Sequence, residues 1–148
     1  TVKSYIPRLQ FRNYNREKEI KVGLVNEART QVTEANIAST MGSGSLRVFA
    51  TPAMCCLMEK AASDLMDSLV EEGSTTVGTA LNIAHTAATP IGMEVVATAE
   101  ITAVEGRKIS FRVTARDQAG EIGAGTHERF IVFKEKFQAK TDAKIAKD

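Results

Sequence analysis

The sequence is poor in the residues from which metal sites and disulfide frameworks are built. It holds two cysteines, two histidines and no tryptophan. Cys55 and Cys56 are adjacent in a helical pattern, where their side chains point about 100° apart, so a disulfide between them would be strained. With no other cysteine and only His85 and His127 beside them, a zinc site also has too few good ligands. We therefore expect two reduced thiols and no bound metal ion.

The sequence also has no excess of either charge sign and no long apolar run. Lys and Arg total 19 and Asp and Glu total 18, so the formal net charge is +1. Such a balance gives no general attraction to nucleic acid or to an anionic membrane. No apolar run approaches the roughly 18 residues of a membrane span, and residues 1–10 lack the apolar segment of a signal peptide. We expect a cytoplasmic protein that binds neither nucleic acid nor membrane.

The 148 residues fit one domain with a tail at each end. Residues 1–19 carry several basic side chains among a few aromatics without a clean period, which predicts an N-terminal extension. Residues 20–138 hold all the periodic segments and form the predicted domain. Residues 139–148 combine lysines with mostly short side chains, so we expect a solvated C-terminal tail.

A long amphipathic helix is the best-defined element. Thr51 stands where an N-cap belongs, Pro52 suits the first helical position, and Gly73 is the expected stop. Between them, apolar residues recur every three or four positions and form one stripe. This stripe consists of Met54, Leu57, Met58, Ala61, Ala62, Leu65, Met66 and Leu69. Glu59 falls at its edge.

Before and after this helix, apolar residues alternate with polar ones, as in half-buried strands. A first strand is predicted from Ile20 to Val32, followed by a short helix from Thr33 to Met41 that Gly42 closes. Later segments predict an antiparallel meander; they cover about residues 77–85, 93–104, 109–114 and 122–133. One helix can bury its stripe against four or five strands only by lying across a curved sheet, so the fold class is α+β.

Three side chains with reactive groups lie on these elements. Each has an ordinary role: Thr51 caps a helix, Glu59 is a boundary carboxylate, and His85 is a hydrogen-bonded histidine at a strand end. Together they offer a hydroxyl, a carboxylate and an imidazole, and packing the helix on the sheet is expected to bring Glu59 towards His85. Because a helix N-terminus also favours developing negative charge, this layout suits acyl transfer.

Two further positions are candidates for substrate binding. Gly78 interrupts a β-branched strand, where it either leaves room for a ligand beside the backbone, or marks a bulge or serves packing. Arg129 shares a strand face with His127 and lies opposite Glu128. Such charges are usually solvated, although an exposed arginine also suits a phosphate.

Several strings of this sequence occur together in a known family. They are Val48-Phe-Ala-Thr, Leu57-Met-Glu, Gly78-Thr-Ala, His85-Thr-Ala-Ala-Thr-Pro, Ile122-Gly-Ala-Gly-Thr-His-Glu-Arg and Lys136-Phe. Over roughly residues 20–138 the chain resembles the fluoroacetyl-CoA thioesterase group of hotdog-fold proteins. The resemblance implies a hotdog fold, hydrolysis of an acyl-CoA thioester with CoA as part of the substrate and no other cofactor, and an obligate homodimer or dimer of dimers with its sites at the subunit interface.

The same resemblance implies roles for individual residues. The family's catalytic threonine, glutamate and histidine match Thr51, Glu59 and His85. Its substrate-contacting glycine matches Gly78, and its arginine near the CoA moiety matches Arg129.

The resemblance has one notable departure. Where the fluoroacetate-specific enzyme carries a phenylalanine-containing lid, this chain has Gly42-Ser-Gly-Ser-Leu46. We therefore expect a less closed pocket and a general short-to-medium acyl-CoA substrate. Two other activities stay open: a hotdog hydratase or dehydratase acting on enoyl- or hydroxyacyl-CoA, and a non-catalytic module that binds acyl-CoA.

Overall fold

The computed structural model describes residues 19–145. Its centre is a five-stranded antiparallel sheet in the order β1-β3-β4-β5-β2. The strands are β1 (Val25–Gln31), β2 (Ser74–His85), β3 (Glu94–Glu105), β4 (Lys108–Asp117) and β5 (Gly120–Phe133). The helices are α1 (Ala38–Met41), α2 (Thr51–Asp67) and α3 (Lys134–Asp142). Among the described strands, β1 and β2 form the two edges.

Helix α2 packs across the sheet through its predicted apolar stripe. Met54, Met58 and Met66 are fully buried, and Ala61 and Ala62 let the helix approach the strands closely. Most of the sheet's buried core side chains come from β3 and β4; they include Ala97, Ala99, Ile101, Ile109, Phe111 and Val113. Burying a valine, isoleucine, methionine or phenylalanine side chain contributes roughly 1.5–3 kcal/mol. Because many such side chains meet between the helix and the sheet, this contact surface forms much of the core. The predicted α+β architecture is confirmed.

The ends of α2 differ from the prediction. Ala50, not Thr51, is the N-cap residue, and no side chain caps this end of the helix. Thr51 begins the helix, so its hydroxyl is free for another partner. The helix ends at Asp67 with Ser68 as its C-cap, well before Gly73, and the Ser68 hydroxyl donates to the Leu65 carbonyl over 2.7 Å.

The first strand and the first helix are shorter than predicted. The alternation from Ile20 to Leu24 is not a strand: Val22 is 62% exposed, and β1 begins only at Val25, after Gly23 has turned the chain. In the predicted helix, Thr33 to Asn36 form a turn in which Thr33 N–H donates to Asn36 Oδ1. Only α1 is helical.

Irregular pairing bends the sheet around the helix. Register shifts occur between Gly78 and Ala80, between Ile101 and Ala103, and between Ala115 and Arg116. Such bulges bend a strand and increase its twist. In β2 the bulge also changes which residues face inward, so the prediction of one continuous face from residue 77 to residue 85 was wrong. Thr76 and Gly78 face inward before the bulge, and Leu81, Ile83 and His85 face inward after it.

The predicted tails relate to the structure in different ways. The N-terminal extension, predicted for residues 1–19, lies almost entirely outside the described residues. At the other end, α3 was not predicted, and the boundary drawn at residue 138 falls within it. All of α3 is exposed. In residues 19–145 no helix is both long enough and apolar enough to cross a membrane.

Candidate active site

The start of α2 and the end of β2 meet in a contact between two functional side chains. Thr51 Oγ1 lies 2.7 Å from His85 Nδ1. The contact forms because Thr51 is the first helical residue rather than the cap, and because the bulge in β2 turns His85 towards the helix. A hydroxyl this close to an imidazole nitrogen can exchange a proton with it. The structure thus brings together two of the three predicted catalytic residues.

His85 is held in an environment that favours its neutral form. Burial lowers its pKa, and a weaker interaction with the Ala87 backbone acts in the opposite direction. The other ring nitrogen, Nε2, is buried and has no hydrogen-bond partner among the described residues. A neutral imidazole with one nitrogen on a hydroxyl and the other unengaged is suited to accept or pass a proton.

A cavity of about 260 Å3 opens beside this pair. Phe49, Thr51, His85 and Ala87 contribute to its wall. The uncapped N-terminus of α2 adjoins it, so backbone N–H groups without intrahelical partners are available there. These donors and the helix dipole favour negative charge, as on a thioester carbonyl oxygen under attack.

A second cluster lies farther along α2 and β2. Glu59 Oε2 is 3.6 Å from Arg129 Nη1, and Gly78 faces both. A Cβ atom on Gly78 would lie 2.7 Å from Glu59 Oε2 and 3.1 Å from Arg129 Nη1. Gly78 is therefore required by the close approach of two charged side chains to the strand. This cluster contains the remaining three predicted site residues.

Arg129 is buried, in contrast to the exposed arginine that its pattern suggested. Its side chain is 7% exposed, whereas that of Glu59 is 46% exposed. Nε donates to Thr76 Oγ1 over 2.7 Å and Nη2 donates to the Thr76 carbonyl over 3.1 Å. Burial lowers the pKa of Arg129, and the negative charges of Glu59 and Asp67 oppose this effect. In the isolated chain this guanidinium is a structural cation paired with Glu59.

The two clusters are separate within one chain. Glu59 lies eight residues after Thr51 on the same helix, which corresponds to about 12 Å along its axis. The expected convergence of Glu59 on His85 is therefore not found in a single chain. Both clusters nevertheless lie along the same helix and the same edge strand.

Sequence reasoning did not assign His127 or Thr76 to the second cluster. The face shared by His127 and Arg129 was predicted from spacing, and the structure buries both side chains. Thr76 was not singled out, because its role depends on pairing between β2 and β5 at a bulge. Among the described residues, no group of three or more His, Cys, Asp or Glu side chains is arranged to hold a metal ion.

Comparison with known proteins assigns the fold and the family. The model of the family described as fluoroacetyl-CoA-specific thioesterase matches residues 32–135. The chain belongs to this family. The match includes all five predicted site residues, from Thr51 to Arg129.

Individual relatives agree with this assignment. A fluoroacetyl-CoA thioesterase of Streptantibioticus cattleyicolor is 50% identical over 97 residues, or 66% of this chain and 70% of that protein. A solved fluoroacetyl-CoA thioesterase mutant in complex with acetyl-CoA is 40% identical, with a TM-score of 0.80 over 84% of this chain and 98% of that one. A hot-dog-like protein from Thermanaerovibrio acidaminovorans, 21% identical, has a TM-score of 0.77 over 84% of this chain and 93% of its own and shows the same fold.

The resemblance read from the sequence is confirmed, as are the hotdog fold and the thioesterase activity.

Proposed function

We propose that this thioesterase hydrolyses short-to-medium acyl-CoA thioesters, using Thr51, His85 and Glu59 in sites shared between two copies of the chain. The observation that carries the proposal is the 2.7 Å contact between Thr51 Oγ1 and His85 Nδ1, beside an uncapped helix N-terminus and an open cavity. The fluoroacetyl-CoA thioesterase relatives support the thioester as substrate.

The reaction needs an attacking oxygen, stabilisation of the tetrahedral oxyanion and a proton for the leaving thiolate. Glu59 supplies the carboxylate, which either attacks the thioester carbon or removes a proton from the attacking water. The attacking oxygen adds to the carbonyl carbon to form a tetrahedral intermediate, which collapses as the C–S bond breaks. When water attacks, the proton that Glu59 removes from it passes through His85 to CoA sulfur. When Glu59 attacks, water hydrolyses the resulting acyl anhydride, which regenerates the Glu59 carboxylate and supplies that proton. Thr51 holds the imidazole and orients the reactants. No metal or further cofactor is required in this scheme.

A dimer explains how two separated clusters can form one site. Strand β2 pairs with β5 on one side, and no described strand covers its other edge over 12 residues. A long edge strand with unpaired backbone N–H and C=O groups can pair with the same strand of a second copy. Two-fold symmetry makes such pairing antiparallel. If the two-fold axis passes between Leu81 and Asn82, Gly78 lies opposite the partner's His85. Glu59 beside Gly78 then faces the other subunit's Thr51 and His85 pair.

Subunit mixing tests this arrangement directly. Glu59→Gln and His85→Ala variants are each inactive as homodimers in this scheme. A mixed dimer contains one site with both lesions and one intact site, so an equal mixture should recover about one quarter of wild-type activity. If each site belongs to one chain, mixing restores nothing. Sedimentation at the assay concentration must show a dimer, and an active monomer would contradict the proposal.

The acyl group follows from the segment between α1 and α2. Leu46 is 68% exposed and residues 42–47 are all exposed, so no large side chain from this segment covers the cavity. Phe49 lines the cavity but is itself buried in the core. An open cavity of this kind suits acyl chains longer than acetyl.

A panel of acyl-CoA esters assayed for thiol release tests the proposed activity. Free CoA should appear with saturated acyl esters and should disappear with Glu59→Gln. Hydration of an enoyl-CoA without CoA release would instead indicate a hydratase. Binding without turnover of any ester would indicate an acyl-CoA-binding module.

A further inference from the structure

His127 occupies the inner side of the Glu59 cluster and has no part in the scheme above. It is 1% exposed and lies next to Phe111, with ring centroids 5.9 Å apart. Both ring nitrogens are engaged: Nδ1 lies 2.7 Å from the Ala80 carbonyl oxygen, and Nε2 lies 3.1 Å from Arg129 Nη1. Because both nitrogens of this buried imidazole have polar partners, His127 contributes specific hydrogen bonds as well as packing.

These two contacts define one protonation state. A carbonyl oxygen only accepts, so Nδ1 must carry a hydrogen. A guanidinium only donates, so Nε2 must present its lone pair. The neutral Nδ1–H tautomer satisfies both demands. Burial and the charge of Arg129 lower the pKa of His127, while the Ala80 carbonyl, Glu59 and Glu128 act in the opposite direction.

The contacts continue from His127 to the carboxylate. Arg129 is fixed on one side by Thr76, which accepts from Nε and Nη2. Its remaining nitrogen, Nη1, is shared between His127 Nε2 at 3.1 Å and Glu59 Oε2 at 3.6 Å. Ala80, which holds the imidazole, is the first paired residue after the bulge in β2. The Ala80 carbonyl at the bulge therefore orients the His127 imidazole, and the imidazole in turn orients Arg129.

We propose that His127 is a positioning residue for catalysis: as the neutral Nδ1–H tautomer it accepts from Arg129 Nη1, and this bond sets the direction from which the guanidinium holds the Glu59 carboxylate. The inference rests on the proposed role of Glu59 in thioester hydrolysis. His127 itself does not touch the substrate.

Two substitutions separate positioning from packing. His127→Phe keeps a ring against Phe111 but removes both hydrogen bonds. His127→Gln retains an acceptor near the place of Nε2. We expect His127→Phe to lower kcat about 10- to 100-fold with little change in KM, because misplacing a catalytic group by about 1 Å has effects of this size. His127→Gln should recover most of that loss. Phe111→Leu is the packing control and should lower Tm without lowering kcat.

A double-mutant cycle tests whether His127 acts through Arg129. Once Arg129→Gln has been introduced, His127→Phe should cost little further activity, because the bond it removes is already absent. Fully additive losses in kcat would overturn the inference. Loss of Tm and kcat together in His127→Phe, matched by Phe111→Leu, would also overturn it.

A spectroscopic readout keeps the inference testable if His127→Phe does not fold. The 15N shifts of the His127 ring in the wild-type protein should show a protonated Nδ1 and an unprotonated Nε2 at the assay pH. An Nε2–H tautomer or an imidazolium would contradict the geometry. This measurement does not depend on turnover. If wild-type protein releases no CoA from any acyl ester, the proposed function fails, whereas normal kcat in His127→Phe refutes the positioning role alone.

Discussion

The two polar clusters along β2 contain similar residue types but differ in how far their polar groups are already hydrogen-bonded. At the C-terminal end of β2, His85 has one nitrogen on Thr51 and the other unengaged, next to an open cavity. Beside the bulge, Arg129 and His127 of the neighbouring strand β5 are buried and hydrogen-bonded, and only Glu59 remains half exposed. One region leaves its polar groups available for a substrate, and the other uses them to hold a single carboxylate in place.

In the proposed mechanism, neither region suffices by itself. The Thr51 end has an imidazole, a hydroxyl and helix amides but no carboxylate among its contacts. The Glu59 end has the carboxylate but no unengaged proton carrier, since His127 is committed on both nitrogens. Two-fold pairing of β2 would supply each with what it lacks.

The largest expected effect comes from Glu59. Glu59→Gln keeps the shape of the side chain but removes the charge, so turnover should fall about 10²-fold or more with the fold intact. Glu128→Gln, on the outward face of β5, is the matched control and should leave turnover near wild type. Steady-state kinetics beside thermal unfolding decide the matter. A normally folded Glu59→Gln enzyme with more than about a tenth of wild-type turnover would remove Glu59 from the mechanism.

The Thr51 contact should matter nearly as much. Thr51→Val is close in shape but lacks the hydroxyl, so kcat should fall about 10- to 100-fold, as expected when a positioned proton-transfer contact is lost. Thr51→Ser keeps the hydroxyl and should retain most of the activity. Equal activity of the Val and Ser variants would show that the 2.7 Å contact with His85 does not serve catalysis.

Gly78→Ala disturbs the Glu59 end without removing any functional group. Its Cβ would approach Glu59 Oε2 to 2.7 Å and Arg129 Nη1 to 3.1 Å, so the carboxylate must be displaced. We expect kcat to fall about tenfold, since small displacements of catalytic groups are costly. Gly44→Ala is the control, because its Cβ meets only Ala38 Cβ at 3.4 Å. Full activity in Gly78→Ala would mean that the site tolerates a displaced carboxylate.

Stability should depend on pH through the histidines at both ends. Burial lowers the pKa of His85 and of His127 below the ordinary value of 6.5. Between the lowered values and 6.5 the unfolded chain binds more protons than the folded one, so the free energy of unfolding decreases as pH falls below 6.5. Denaturant unfolding between pH 7.5 and 5 measures this slope. His127→Gln should reduce it, and an unchanged slope would mean that His127 is not buried in its neutral form.

Acyl-chain preference is the smallest effect and probes the Thr51 end alone. Each buried methylene contributes about 0.8 kcal/mol, or about fourfold in kcat/KM, until the cavity ends. Values of kcat/KM should therefore rise from acetyl-CoA to butyryl-CoA, with hexanoyl-CoA showing where the gain stops. A strong preference for fluoroacetyl-CoA would show that lid aromatics are not needed for that selectivity.

Much of this molecule was predictable from local patterns. The stripe from Met54 to Met66 required an amphipathic helix, and the alternation in β3 and β4 required strands with one buried face, because period and polarity are properties of neighbouring residues. The short strings around Thr51, His85 and Arg129 also identified the family. These features do not depend on which strand lies beside which.

Other features were decided only by the tertiary structure. The bulge at Thr79 reverses the inward face of β2. Gly78 was compatible with a bulge, but the pattern could not decide that one forms, because a bulge is a relation between two paired strands. Pairing of β2 with β5 also places Thr76 within hydrogen-bonding distance of Arg129. The Arg129 guanidinium, which the sequence pattern predicted to be solvated, is therefore buried. The sequence could name the hydroxyl, the carboxylate and the imidazole. Their division into two clusters, with Thr51 and Glu59 about 12 Å apart along the axis of α2, follows from how this helix runs along the sheet.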